Sequence, residues 1–221
     1  MAGLTEDRPK PMLPLRGKPL LEHILDRLRE AAFQEALIVT GYRAEVIESY
    51  FEDYPMKLAC RRQQTIDGTA RAALLAREFC GEDSFLLTYG DILTEPQDYT
   101  AMAEMLESDV DASAVLAVKW VEDPCEGAAV YEEAGRATRI IEKPPRGTSA
   151  TRWNSAGSYT FRPEIFNELE RVPLSPRGEY EITSAIQQLI ASGKRVLLHA
   201  LAGAWRDVGR PSDLEEAERL V

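Results

Sequence analysis

The sequence predicts an α/β fold: a mostly parallel, mixed sheet with helices on both faces. Three observations carry that expectation. Short apolar runs bounded by Gly, Asp or Pro alternate with amphipathic stretches of helical period. The early order is α-β-α-β-α-β-α-β, which favours parallel pairing with helices packed on the sheet. The 221 residues, 44% hydrophobic and 29% charged, suffice for one sizeable core.

The elements follow in order. Residues 4–19 are polar and proline-rich, with Lys10 between Pro9 and Pro11. Proline restricts itself and the residue before it, so this run reads as a stiff loop presenting Lys10. Leu20, Leu21, Ile24, Leu25 and Leu28 fall at helical spacing and predict a helix over 19–33. Residues 35–41 read as a buried strand, 43–51 as a helix, 57–62 as a strand and 68–79 as an Ala/Leu-rich helix. A second buried strand at 84–88 ends at Tyr89-Gly90-Asp91. A helix at 97–108 and a strand at 111–120 follow.

Residues 127–142 alternate around Glu133-Ala-Gly-Arg136 and read as a hairpin. Trp153–Phe161 reads as a strand, and Arg162-Pro163 as the opening of a helix through Glu170. A helix at 179–192, a strand at 195–201 and a helix at 211–220 complete the chain. No repeat or long linker separates independent domains. The expectation is one domain over 1–221, in two parts at about 1–110 and about 111–221.

A formal net charge of −11 and a pI near 4.8 leave no basic footprint for a nucleic-acid partner. No apolar run approaches bilayer length, and no secretory pattern opens the chain. Cys60, Cys80 and Cys125 show no ligand spacing, which fits small apolar residues in a reduced, cytoplasmic compartment.

Ligands of open α/β sheets bind beyond the carboxyl ends of the strands. Gly90-Asp91 and Asp207, in Trp205-Arg206-Asp207-Val208-Gly209, are placed that way. Each Asp could bind a metal or phosphate, or merely cap the next element. Gln63 to Ala70 is a strand-to-helix junction, either an anion site at a helix N-terminus or a polar turn. Glu142-Lys143-Pro144 is uninformative alone. Asn154, Ser155 and Gly157 lie along one strand, and Ser175–Thr183 precedes a late helix. His23 and His199 read as structural.

In this order and spacing the motifs resemble the sugar-phosphate nucleotidyltransferase family, glucose-1-phosphate thymidylyltransferase- or uridylyltransferase-like, across residues 4–221. The resemblance implies a Rossmann-like sheet of the nucleotide-diphospho-sugar transferase type, with a nucleotide-binding part at about 1–110 and a sugar-binding part at about 111–221. It implies transfer of a nucleotidyl group from a nucleoside triphosphate, UTP or dTTP favoured, to a sugar 1-phosphate, glucose 1-phosphate favoured, releasing pyrophosphate. It assigns Asp91 and Asp207 to Mg²⁺, and Lys10 and Lys143 to phosphate charge, these four being the catalytic set. Lys10, Gln63, Gly68, Thr69 and Gly90 would bind the nucleotide. Glu142, Lys143, Asn154, Ser155 and Gly157 would bind the sugar, although the family's Asn-x-Gly reads Ser155-Ala156-Gly157 here. In the family the first run follows a strand and a Gly-x-Gly-Thr-Arg loop, whereas here Met-Ala-Gly precedes Leu4. That difference implies weak catalysis by these residues alone and an exposed sheet edge favouring self-association. Two other readings stay open: a non-catalytic sugar-nucleotide-binding homologue, and a glycosyltransferase of similar fold, for which the sole Asp-x-Asp is Asp109-Val110-Asp111.

Overall fold

The computed structural model describes residues 8–221, so Leu4–Asp7 of the first run lie outside the described residues. The chain opens with a 3₁₀ turn at Lys10–Met12, then β1 (Pro14–Leu15), β2 (Lys18–Pro19), α1 (Leu20–Glu30), β3 (Glu35–Thr40), α2 (Ala44–Tyr50) and β4 (Lys57–Arg62). Next come α3 (Thr69–Leu74), α4 (Arg77–Cys80), β5 (Phe85–Thr88), β6 (Ile92–Thr94), α5 (Pro96–Ser108) and β7 (Ala112–Trp120). After the hairpin of β8 (Ala128–Glu133) and β9 (Arg136–Glu142) follow β10 (Trp153–Phe161), α6 (Ile165–Arg171) and α7 (Ile182–Ala191). The last elements are β11 (Arg195–Ala200), β12 (Trp205–Asp207) and α8 (Pro211–Ala217).

These elements form two compact units built from interleaved segments: residues 1–65, 88–100 and 202–221, and residues 66–87 and 101–201. The division does not fall near residue 110, because strand pairing sends residues 202–221 back to the first segment. In the first unit α1 buries Leu20, Leu21, Ile24, Leu25 and Leu28, the apolar stripe legible in its sequence. Each such side chain, fully buried, contributes about 1.5–3 kcal/mol. Arg27 on the same helix is also buried and donates to the Leu220 carbonyl at 2.5 Å, with Glu95 3.5 Å away. β3 and β4 pair in parallel, Glu35 with Lys57 through Thr40 with Arg62. β6 and β12 pair antiparallel.

The second unit holds a six-stranded mixed sheet in the order β5-β10-β7-β11-β9-β8. β7 is buried from Ala112 to Val118, parallel to β11 on one side and antiparallel to β10 on the other. Continuous burial of this kind explains its apolar run from Ala114 to Val118. The β8–β9 hairpin turns at Ala134-Gly135, both at positive φ. α3, α6 and α7 pack on one another within this unit.

The mixed α/β class matches the sequence reading, and several local details differ from it. The Lys10 run closes one 3₁₀ turn, because Met12 N–H reaches the Pro9 carbonyl and Leu13 N–H the Lys10 carbonyl. Pro11 is tolerated there, its missing N–H being one that a first turn leaves unpaired anyway. The helix expected over 68–79 splits at Leu75-Ala76, where i→i−3 bonds tighten the chain. Arg162-Pro163 forms a turn ahead of α6. Its guanidinium caps carbonyls instead, Nε to Ala112 at 2.7 Å and Nη2 to Leu106 at 2.8 Å and Asp109 at 3.3 Å. β6 and β12 carry no signal in sequence, since three residues show no period.

Candidate active site

The first unit assembles Lys10, Gly90, Asp91 and Asp207. Beyond β5 the chain turns at Tyr89–Ile92 and enters β6. β12 lies antiparallel against β6, with Asp207 opposite Ile92, and Val208 N–H donates to the Asp91 carbonyl at 2.9 Å. This register sets the two carboxylates side by side across 116 positions of sequence. Asp207 is thus the last residue of a strand rather than a residue beyond one. Lys10 stands on its 3₁₀ turn with Nζ 2.5 Å from Asp91 Oδ2 and 3.9 Å from Asp207 Oδ1. A Cβ at Gly90 would press on Pro11 Cγ at 3.2 Å, so glycine lets the lysine turn approach.

Burial raises the Asp207 carboxyl above the ordinary aspartate value, and repulsion from Asp91 and Asp213 adds to it. Lys10 and Arg206 oppose the rise without cancelling it. Two carboxylates are thus held together, one of them reluctant to ionise, with the Lys10 ammonium beside both. Among the described residues no group of three or more His, Cys, Asp or Glu could hold a metal by itself. Gln63 follows β4 in the same unit, half-buried, its N–H donating to the Thr40 carbonyl at 2.8 Å.

The second unit holds the remaining residues. Gly68 adopts φ +129° and leads into α3 against the backbone of Tyr180. Tyr180 N–H donates to the Asp67 carbonyl and Ala70 N–H to the Tyr180 carbonyl, both at 2.8 Å. Ile182 N–H donates to Thr69 Oγ1 at 3.0 Å, and the Arg71 guanidinium lies 4.3 Å from the Tyr180 ring centre. Gly68-Thr69 and Gly178-Glu179-Tyr180, two separate motifs in sequence, therefore form one joint. One N-terminal amide of α3 and the Thr69 hydroxyl are already engaged in it.

Glu142 ends β9 opposite Ala128, and Lys143 follows at φ +39° with its N–H donating to the Gly127 carbonyl at 2.7 Å. Burial raises the Glu142 carboxyl, and the neighbouring Glu181 adds to this. The Thr183 hydroxyl, Arg177 and Lys143 pull the other way. On β10, Asn154 Nδ2 donates to the Ser155 carbonyl at 2.8 Å, while its buried Oδ1 has no partner among the described residues. A Cβ at Gly127 would overlap the Asn154 amide. Ser155 Oγ meets Tyr159 Oη at 2.8 Å across a register shift that contains Gly157 at φ +74°. The Ser155 hydroxyl is thus committed within the sheet. Sequence reasoning passed over Gly127 and gave Arg177 and Tyr180 no role. Arg177 and Tyr180 sit in a segment it quoted, but nothing in their spacing pointed to Glu142 or Gly68.

The family model for nucleotidyl transferases matches residues 1–221. The chain belongs to that family. It is 38% identical over 219 residues to the bifunctional protein GlmU of Methanocaldococcus jannaschii, taking in 99% of this chain and 50% of that protein. It is 36% identical to the UTP–glucose-1-phosphate uridylyltransferase AglF of Haloferax volcanii, over 99% of this chain and 90% of that one. The chain thus spans about half the length of the GlmU relatives that it matches. The fold resembles that of UDP-glucose pyrophosphorylase solved with UDP-glucose, with a TM-score of 0.86 at 22% identity, covering 96% of this chain and 89% of that one. A glucose-1-phosphate thymidylyltransferase from Bacillus anthracis gives 0.88 at 22% identity, covering 100% and 89%. Among the described residues no helix is long and apolar enough to cross a membrane.

Proposed function

We propose that this chain transfers a nucleotidyl group from a nucleoside triphosphate to a sugar 1-phosphate. The observation that carries the reading is the Lys10–Asp91–Asp207 cluster, fixed by the β6–β12 register. Its residues suit charge neutralisation, which phosphoryl-type transfers need more than a protein nucleophile. A phosphate oxygen of the sugar 1-phosphate attacks the α-phosphorus in line. The bond to the bridging oxygen breaks, and pyrophosphate leaves with that electron pair. No proton need move through a side chain.

Asp91 and Asp207 are the residues that would hold Mg²⁺. The fit rests on their hard oxygen donors and on the raised Asp207 carboxyl, which a cation would relieve. Bound there, the ion would neutralise charge on the phosphate oxygens, and those oxygens would complete its coordination. Lys10 supplies positive charge at the same place. Gln63, able to donate and accept together, suits a pyrimidine edge and so UTP or dTTP. Glu142 and Lys143 would meet the sugar and its phosphate, with glucose 1-phosphate as the first substrate to test. The reaction belongs in the cytoplasm, where nucleoside triphosphates are supplied.

Pyrophosphate release decides the matter. The chain should turn over UTP or dTTP with glucose 1-phosphate in Mg²⁺, and chelation should stop it. Asp91→Asn and Asp207→Asn should each abolish turnover, and Gln63→Ala should flatten a preference for pyrimidines of roughly ten- to hundredfold. Binding of nucleotide without pyrophosphate from any substrate pair would refute the transferase reading in favour of a non-catalytic homologue.

A further inference from the structure

The first unit buries a carboxylate that the proposed reaction leaves without a role. Asp98, in the first turn of α5, is 1% exposed. Its Oδ1 accepts the Ala202 N–H at 3.0 Å and its Oδ2 the Gly203 N–H at 3.0 Å. A buried carboxylate is costly unless hydrogen bonds satisfy it. Here consecutive amides of one distant segment engage both oxygens. The positive end of the helix dipole favours the charge in the same place.

That segment leads straight into β12. Gly203 and Ala204 precede Trp205, which lies opposite Thr94, the last residue of β6. On the other side, Thr94 runs through Glu95 into α5, where Asp98 N–H donates to the Glu95 carbonyl at 3.1 Å. β6 thus continues into the helix turn whose carboxylate holds the entry to β12. The approach is close as well as bonded. A Cβ on Gly203 would come within 2.7 Å of Glu95 Cβ and 2.9 Å of Asp98 Oδ2. The β6–β12 ladder itself is short, Trp205 with Thr94, Arg206 with Leu93 and Asp207 with Ile92. An isolated pair of strands is marginal in water, and a slip of one residue would turn Asp207 to the opposite face. The register therefore needs an anchor outside the ladder.

We infer that Asp98 is a positioning residue: its carboxylate fixes the register of β12 on β6 and so holds the Asp207 carboxylate beside Asp91. The inference rests on the proposed function in one respect, that Asp91 and Asp207 act as a pair on a cation. A carboxylate suits the task because it accepts at both oxygens. An asparagine amide of the same shape accepts at one and sets N–H against N–H at the other.

The test follows amide hydrogen exchange along the full chain, without substrate or metal. In Asp98→Asn the amides of residues 205–208 should exchange about ten- to hundredfold faster, the loss of one hydrogen bond to a charged group. Those of β3 and β4, in the same unit, should stay within about twofold on the same argument. Gly203→Ala, whose Cβ would lift the segment off Asp98, should give the same selective pattern, and it carries the test if Asp98→Asn does not fold. Thr100→Ala is the control. It removes the hydrogen bond from Thr100 Oγ1 to the Pro96 carbonyl at the same end of α5, and should leave residues 205–208 unchanged. With substrates, Asp98→Asn should raise the Mg²⁺ concentration for half-maximal rate by about tenfold, while KM for glucose 1-phosphate stays within about twofold. Unchanged exchange at 205–208, equal acceleration in β3 and β4, the same acceleration in Thr100→Ala, or an unchanged Mg²⁺ requirement would overturn the inference. If the unmodified chain turns over no substrate pair, the proposed function fails, and exchange alone then judges the hold of Asp98 on β12. Selective acceleration at 205–208 supports that hold, and uniform or absent acceleration refutes it.

Discussion

Gly68→Ala tests the joint between the two motifs of the second unit. At φ +129° and ψ 169° the residue occupies a region open essentially to glycine alone. Forcing alanine there costs about 1–3 kcal/mol. The new Cβ would also overlap the Tyr180 backbone, which cannot give way as the tip of a flexible side chain can. Relief requires the loop to lift, breaking the Ala70–Tyr180 and Tyr180–Asp67 hydrogen bonds, each worth about 0.5–1.5 kcal/mol. The sum is roughly 2–6 kcal/mol. For a chain of this size each kcal/mol moves Tm by about 2–4 °C, so a fall of around 8–16 °C is expected at mid-range. Circular dichroism during heating and in urea measures it. Gly193→Ala is the control: its φ is +80°, but no atom lies within 4 Å of the added Cβ, so it carries the backbone cost without the clash. Equal losses in the two variants would refute the docking of Tyr180 against Gly68. A Gly68→Ala protein of unchanged stability would refute the whole derivation.

Asp207 gives a pH-dependent effect of definite sign. Its folded-state pKa lies above the ordinary value, so its contribution to stability is complete below that value and is lost as pH rises through the folded one. At neutral pH without divalent cations, Asp207→Asn should therefore stabilise the chain, by no more than about 1 kcal/mol because the side chain is half exposed. The gain should vanish in acid below the ordinary aspartate pKa, and thermal melts across pH check both limits. Arg162→Ala should strip the cap from the Leu106, Asp109 and Ala112 carbonyls and cost about 1–3 kcal/mol in urea unfolding. Arg162→Lys should recover only part, because lysine cannot span three acceptors from one planar group.

The sequence by itself determined the local elements wherever a side-chain period was long enough to read. The stripe of α1, the strand β7 and the turn at Ala134-Gly135 are all visible as patterns of residue type. It also placed Asp91 beyond an apolar strand, Glu142-Lys143 at the end of the hairpin and Gln63 at a strand end. Tertiary structure alone decided which of these meet. Asp207 reaches Asp91 through the pairing of two three-residue strands that leave no pattern in sequence. Lys10 joins them because a 3₁₀ turn fits against a residue without a side chain. The junction before α3 reads as an anion site or a polar turn, and the fold engages the Ala70 amide with Tyr180 and the Thr69 hydroxyl with Ile182. Arg177 meets three carboxylates, from β9 and from its own loop and the start of α7, that no spacing in the sequence links to it. Periodicity records burial, which each element obeys separately. Partnership between distant residues depends on strand register and loop closure, and the chain settles those only when all its elements pack together.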